Sequence, residues 1–224
     1  MNTRKAERIR RSKAPPNRLP AELAARLPPG QVLTERFPIL HEGEIPQYDL
    51  ASWSLRLFGA LDRECMLGYD DLLALPQSEL RCDIHCVTRW SKFDTRWSGV
   101  RLADLLHSLD LEPRGAYVMA HADHDYQANL PLAQLLREDS LLALRYAGEP
   151  LAPQHGWPLR LVVAGRYFWK SAKWLRALEF REHDSPGFWE SNGFHNDAEP
   201  FQEQRFSGAA LDIPEDEWER KDFD

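Results

Sequence analysis

The chain has 224 residues, 43% hydrophobic and 28% charged, with 12 glycines and 16 prolines. These are globular proportions with enough length to bury a core, and they exclude a collagen-like, wholly disordered or disulfide-stapled protein. A net charge of −7 argues against a broad nucleic-acid footprint, and three cysteines (Cys65, Cys82 and Cys86) suit a reducing compartment.

Residues 1–18 are basic and expected to form a flexible tail. Arg10-Arg11 is followed by Pro15, Pro16, Asn17 and Arg18, not by the apolar stretch of an export signal. No apolar run approaches the roughly 20 residues of a membrane span, so a cytoplasmic protein without a membrane span is expected. Residues 19–27 (LPAELAARL) predict a short helix stopped by Pro28-Pro29-Gly30. Strands are expected at 53–58, at 80–88 running into a loop, and at 116–121, 141–146, 159–164 and 174–181. Helices are expected at 69–75, 101–109 and 131–137. Strands and short helices without a strict βαβ rhythm predict an α+β fold of mixed sheets. The last 15 residues hold seven acids against two bases. The division expected is a basic N-terminal arm over 1–31, a domain over 32–205 and an acidic tail over 206–224.

The unusual residues concentrate in 81–99 (RCDIHCVTRWSKFDTRWSG). If 80–88 is extended, Cys82, Ile84, Cys86 and Thr88 share one face, and Asp83, His85 and Val87 the other. That parity argues against a closed Cys/Cys/His zinc site. It also sets Cys82 and Cys86 about 13 Å apart along the strand, too far for a disulfide, which weakens a thiol-redox reading. Cys82 reads as a small packed hydrophobe. Cys86 at a strand end, beside Arg89 and near His85, reads as a thiolate suited to a soft metal.

A second cluster, 155–174 (HGWPLRLVVAGRYFWKSAKW), carries Arg160, Arg166, Lys170 and Lys173 around Ser171 on a strand and Gly turn. Such a turn can bind phosphate through cations and backbone N–H groups. Neither a P-loop nor a GxGxxG fingerprint is present. His41, His155 and the His121/His124 pair of 121–125 (HADHD) are individually uninformative.

Together HCVTRWS at 85–91, WSGVRLADLL at 97–106, AYVMAHADHDYQANLPL at 116–132 and GWPLRLVVAGRYFWKSAKWL at 156–175 resemble the molybdopterin-binding domain of the sulfite oxidase superfamily. The likeness is greatest to the small branch related to the catalytic subunit of bacterial methionine-sulfoxide reductases, and it covers roughly 32–205. It implies a sulfite oxidase-like fold and an oxidoreductase whose cofactor is molybdenum with molybdopterin. Cys86 is the implied metal ligand, with Thr88 and Arg89 just past it at the substrate mouth and Trp90 walling it. The implied cofactor contacts are His41, His121, His155, Arg160, Lys170, Ser171, Ala172 and Lys173. Ala164 departs from the Pro of the family's VVP. CVTRWS replaces the Cys-Ala-Gly-x-Arg-Arg pattern of true sulfite oxidases, which weakens sulfite as substrate. The implied reaction is oxygen-atom or electron transfer on a small, sulfur-containing substrate, with a separate electron-transfer protein as partner. The rival expectation is a catalytically silent member of the fold that acts by binding a protein, with the oppositely charged tails as docking arms.

Overall fold

A computed structural model describes residues 19–207, so the basic 1–18 stretch and the acidic stretch from 208 onward lie outside the described residues. Eleven strands form two sheets among these residues. They run β1 (Val32–Leu33), β2 (Ser54–Gly59), β3 (Cys65–Gly68), β4 (Ser78–His85), β5 (Trp90–Val100), β6 (Tyr117–Ala122), β7 (Gln127–Pro131), β8 (Ser140–Tyr146), β9 (Glu149–Pro150), β10 (Arg160–Val163) and β11 (Leu175–Arg181). The first sheet has the order β1-β5-β8-β10, with β4 on β5 and β9 on β8; the second has the order β3-β2-β11-β6-β7. Four short helices accompany them: α1 (Ala21–Ala24), α2 (Tyr69–Ala74), α3 (Leu102–Ser108) and α4 (Leu132–Leu135). Parallel pairing occurs at β1–β5 and β2–β11, and the remaining pairs are antiparallel, so the sheets are mixed as expected.

The main core lies where both sheets meet. Leu55 and Leu57 of β2, Val118 and Ala120 of β6, and Leu178 and Phe180 of β11 pack with Leu142 and Leu144 of β8 and Leu161 and Val163 of β10. α3 joins them through Leu102, Leu105 and Leu106, the i, i+3, i+4 spacing that puts one apolar stripe on a helix. β10 is buried at all four residues, as its continuous apolar run requires. A second cluster packs Leu80, Trp97, Leu141, Ala143, Leu151 and Val162 together.

β5 is the largest departure from expectation. Its eleven residues fall in the stretch read for chemistry, and its buried positions include polar Ser91 and Thr95. These find partners at short range: Ser91 Oγ lies 2.8 Å from His85 Nδ1, and Thr95 Oγ1 donates to Cys82 O at 2.6 Å. The parity expected over 80–88 also breaks, because the β4–β5 register shifts between Cys82 and Ile84 and leaves both Ile84 and His85 buried. The register resumes at Ile84 opposite Lys92 and ends at His85 opposite Ser91, so Cys86 opens the turn of the hairpin.

The described residues on either side of 32–205 also contact the domain. Among residues 19–31, expected within the N-terminal arm, Arg26 pairs with Asp83 at 2.6 Å, and Gln31 is buried. At the other end Phe206 packs on Phe194 at 5.0 Å, and Ser207 N donates to Gly193 O.

Candidate active site

The β4–β5 hairpin delivers Cys86 to the wall of a cleft of about 920 Å³, counting its open mouth. The turn is pinned from several sides. Cys86 N donates to Trp90 O at 2.8 Å, and Cys86 O accepts from Arg89 N and from Gln31 Nε2, both at 3.0 Å. Arg205 Nη1 donates to the next carbonyl, Val87 O, at 3.0 Å and its Nη2 to Pro29 O. Arg89 takes a φ of 72°, which lets four residues reverse the chain. On the sulfur, Thr88 Oγ1 donates to Cys86 Sγ at 3.1 Å. Val87, Tyr167, Trp169, Phe194 and Ala198 form a buried cluster against which Cys86, Trp189 and Phe206 pack.

The chain from β10 to β11 crosses from one sheet to the other past this turn, and an isolated bridge between His85 and Tyr167 ties the two together. This crossover carries the cations. Arg160 is buried, and its guanidinium donates to the carbonyls of His155 and Ser171 at 2.9 Å and Leu161 at 3.4 Å. Burial pushes its pKa down to about 9, which still leaves it charged at neutral pH. Lys173 Nζ donates to Leu40 O and Gln154 O. Burial, with Arg160 and Lys173 nearby, pushes His155 down to about 4, so the ring is neutral at pH 7; Phe37 stacks on it at 4.1 Å. Gly156 sits at φ +110°, and a Cβ there would meet Arg160 Cβ at 3.0 Å and Lys173 Cβ at 3.1 Å. Glycine is what lets these two cationic residues close up. Ser171 Oγ accepts from Val163 N, and Leu161 N donates to Ala172 O, which fixes the end of the crossover on β10.

Of the residues singled out in the sequence, Cys86, Thr88, His41, His155, Arg160, Ser171, Ala172 and Lys173 line this one cleft, as does Trp90. His41 is edge-on to Trp174 at 5.7 Å, with Nδ1 2.9 Å from Gly43 O. Three residues do not line it. His121 faces Glu179 across β6 and β11, with Nε2 2.9 Å from the carboxylate, because their registers place His121 beside Ala177 and Glu179 two residues on. Arg89 Nη1 reaches back to Gly30 O, as its positive φ directs the side chain out of the turn. Lys170 is 1% exposed and forms an ion pair with Glu190 at 2.6 Å while donating to Asn129. It anchors the segment that supplies Trp189 and Phe194 to the cleft instead of facing into it. His85 is turned from the sulfur onto Ser91 and is pushed down to about 4 by burial, so it supplies no positive charge to Cys86 at neutral pH.

Sequence reasoning missed Phe37, Tyr126, Trp169, Trp189 and Phe194 as wall residues. Their signal was the aromatic count alone, since aromatics serve cores and clefts equally. It also missed Gln31 and Arg205, which carry no motif.

The donor set fits a metal held by sulfur with an anionic group at a distance. A thiol lines the cleft, and so does the buried guanidinium of Arg160, whose hydrogen bonds go to carbonyls. The buried Trp90 Nε1 in the cleft wall has no hydrogen-bond partner. A phosphorylated heterocycle with sulfur-bound metal would answer all three. The family described as oxidoreductase molybdopterin binding domain matches residues 42–189.

The chain belongs to this molybdopterin-binding family.

It is similar to the uncharacterized oxidoreductase YuiH of Bacillus subtilis, at 45% identity over 84% of this chain and 95% of that one. It is 29% identical to the protein-methionine-sulfoxide reductase catalytic subunit MsrP of Gluconobacter oxydans, over 66% of this chain and 54% of that one. Among solved structures, the sulfane dehydrogenase SoxCD of Paracoccus pantotrophus matches with a TM-score of 0.58 at 18% identity, over 80% of this chain and 56% of that one. That likeness is one of fold. The chain thus spans nearly all of YuiH and about half the length of the other two. The sulfite oxidase-like fold expected from the motifs is the fold observed, and no described helix is long and apolar enough to cross a membrane.

Proposed function

We propose that this molybdopterin-binding protein is an oxidoreductase that moves an oxygen atom or electrons to or from a small sulfur-containing substrate, with Cys86 as the metal ligand. One observation carries the reading: the Cys86 turn and the Arg160–Lys173 crossover line a single cleft. Arg160, Lys173 and the neutral His155 would hold the pterin and its phosphate, with Ser171, Ala172 and His41 beside them. Molybdenum bound there would supply the two-electron chemistry.

The chain's own residues would do the rest. Arg205 and Gln31 hold the two carbonyls at Cys86 and Val87, so the sulfur does not have to be ordered when the metal arrives. Val87, Trp169, Trp189 and Phe194 line the cleft and keep water from its wall. With the lining cations Arg160 and Lys173 assigned to the phosphate, Glu42 and Asp123 add carboxylates to the rest of the lining. That composition favours an uncharged sulfur compound over the sulfite anion. A separate electron-transfer protein would complete the cycle, and three thiols suit a reducing compartment.

The test is elemental analysis of protein made in a molybdate-supplemented host. The expected result is about one molybdenum per chain, lost in Cys86→Ser without loss of the folded state. A wild-type protein without molybdenum, beside a well-loaded control enzyme, would favour the protein-binding reading.

A further inference from the structure

We propose that Thr88 is a positioning residue for the Cys86 sulfur: its hydroxyl donates to Sγ and so sets the reduction potential of the metal bound there. The inference rests on the function proposed above and goes beyond it, because it assigns a determinant of the redox poise to a residue that holds no cofactor atom.

The geometry begins with the turn. Backbone bonds with Trp90 O and Arg89 N and a side-chain bond from Gln31 Nε2 fix Cys86 at both its N–H and its carbonyl. Thr88 follows two residues later inside the same four-residue reversal, and its hydroxyl falls 3.1 Å from Sγ. A threonine in a turn ordinarily closes its hydroxyl onto a nearby backbone group. Here the carbonyls of Cys86, Val87 and Arg89 already accept from Gln31, Arg205 and Val32, and the hydroxyl goes to sulfur.

The surroundings decide how much that bond matters. The two guanidinium groups next to the turn have other work: Arg205 donates to Val87 O and Pro29 O, and Arg89 reaches Gly30 O. On the other side Cys86 packs against the Val87–Trp169–Phe194 cluster. One side of the sulfur is thereby screened from water, and a hydrogen bond on the protein side of the cleft wall is stronger than one in solvent. A donor on a ligating thiolate withdraws electron density from sulfur. The metal then has a weaker donor, and its reduced state is favoured.

The test uses the molybdenum-loaded protein, with metal content measured first and the midpoint potential read by a titration followed by electron paramagnetic resonance. Valine has the shape of threonine without the hydroxyl, and serine has the hydroxyl without the methyl. Thr88→Val is expected to lower the potential by a tenfold change in the one-electron equilibrium, about 59 mV, and to shift the resonance signature. Thr88→Ser is expected to stay near wild type in both. A loaded Thr88→Val protein at the wild-type potential would overturn the inference alone. So would Thr88→Ser moving as far as Thr88→Val, since packing rather than the hydroxyl would then be responsible. A wild-type chain that takes up no molybdenum would overturn this inference together with the proposed function.

Discussion

At the Cys86 turn, the side chains that fix the backbone come from far along the chain. Gln31 reaches Cys86 O across 55 residues, and Arg205 reaches Val87 O across 118. In the crossover that shares the cleft, Arg160 holds carbonyls 5 and 11 residues away, and Lys173 holds one 19 residues away and one, Leu40 O, 133 residues away. The turn is braced from both ends of the described chain, and the crossover mostly by its own neighbourhood, with one bond to the N-terminal side. The lesson is that a cleft can join a largely local anion site to a metal-ligand turn that exists only once the rest of the domain has closed around it.

The sharpest way to break that contrast is to remove a distant clamp. Arg205→Ala takes away two charge-assisted bonds and leaves Val87 O and Pro29 O without these donors. At about 2 kcal/mol for each such bond, the loss is about 4 kcal/mol of stability. Lys173→Ala, in the local wall, gives up bonds to the half-exposed carbonyls of Leu40 and Gln154 and should cost under about 1 kcal/mol. Urea unfolding of the two variants checks this. Equal losses would show that both walls depend alike on the whole fold.

The same contrast explains what could be read from the sequence. The crossover was legible because its cations, its glycine and its buried strand are contiguous between residues 155 and 174, and each has a local physical reason. Strands with an apolar face, such as β2, β6, β8, β10 and β11, were legible for the same reason. β5 was not, because Ser91 and Thr95 stand at buried positions and hide the alternation. The short β3 and β7 offer too few residues for a period to show. At the turn, Cys86 and Thr88 were visible as a motif, but their support was not. Gln31 and Arg205 are polar residues whose partners are set only by tertiary structure, and nothing in a linear pattern marks them. Lys170 and His121 lie off the cleft lining for a related reason: a basic residue in a motif can equally answer a carboxylate, as Glu190 and Glu179 show.

A pH series probes the local wall through His155. Its pKa is pushed down to about 4 from an ordinary value near 6.5, first by burial and then by Arg160 and Lys173. The unfolded chain therefore binds the extra proton between those values. Stability from this group is complete above about pH 6.5, falls as the pH drops toward 4, and changes no further below that. The full shift would be worth about 3 kcal/mol, and solvent screening of a half-buried ring reduces it to about 1–2 kcal/mol. His85 and His195 shift in the same direction, so His155→Gln should flatten the slope of stability against pH without abolishing it. An unchanged slope would mean that neither burial nor the Arg160–Lys173 pair shifts this ring.

The smallest expected effect separates the two walls most cleanly. Gln31→Met keeps the length and burial of the side chain but removes the amide that donates to Cys86 O and accepts a longer bond from Ser91 Oγ. The bond to Cys86 O is a neutral one worth about 1 kcal/mol, about the same as Ser171→Ala should cost by removing the acceptor of Val163 N. Global stability will not tell the variants apart, but amide hydrogen exchange will. Arg89 N and Cys86 N both close the turn that Gln31 braces, so Gln31→Met should speed their exchange several-fold, while Ser171→Ala leaves them at the wild-type rate. Unchanged exchange in Gln31→Met would mean that the turn is held by its own backbone bonds and needs no brace from the N-terminal segment. The two walls would then be alike, and the order of assembly inferred for the cleft would be lost.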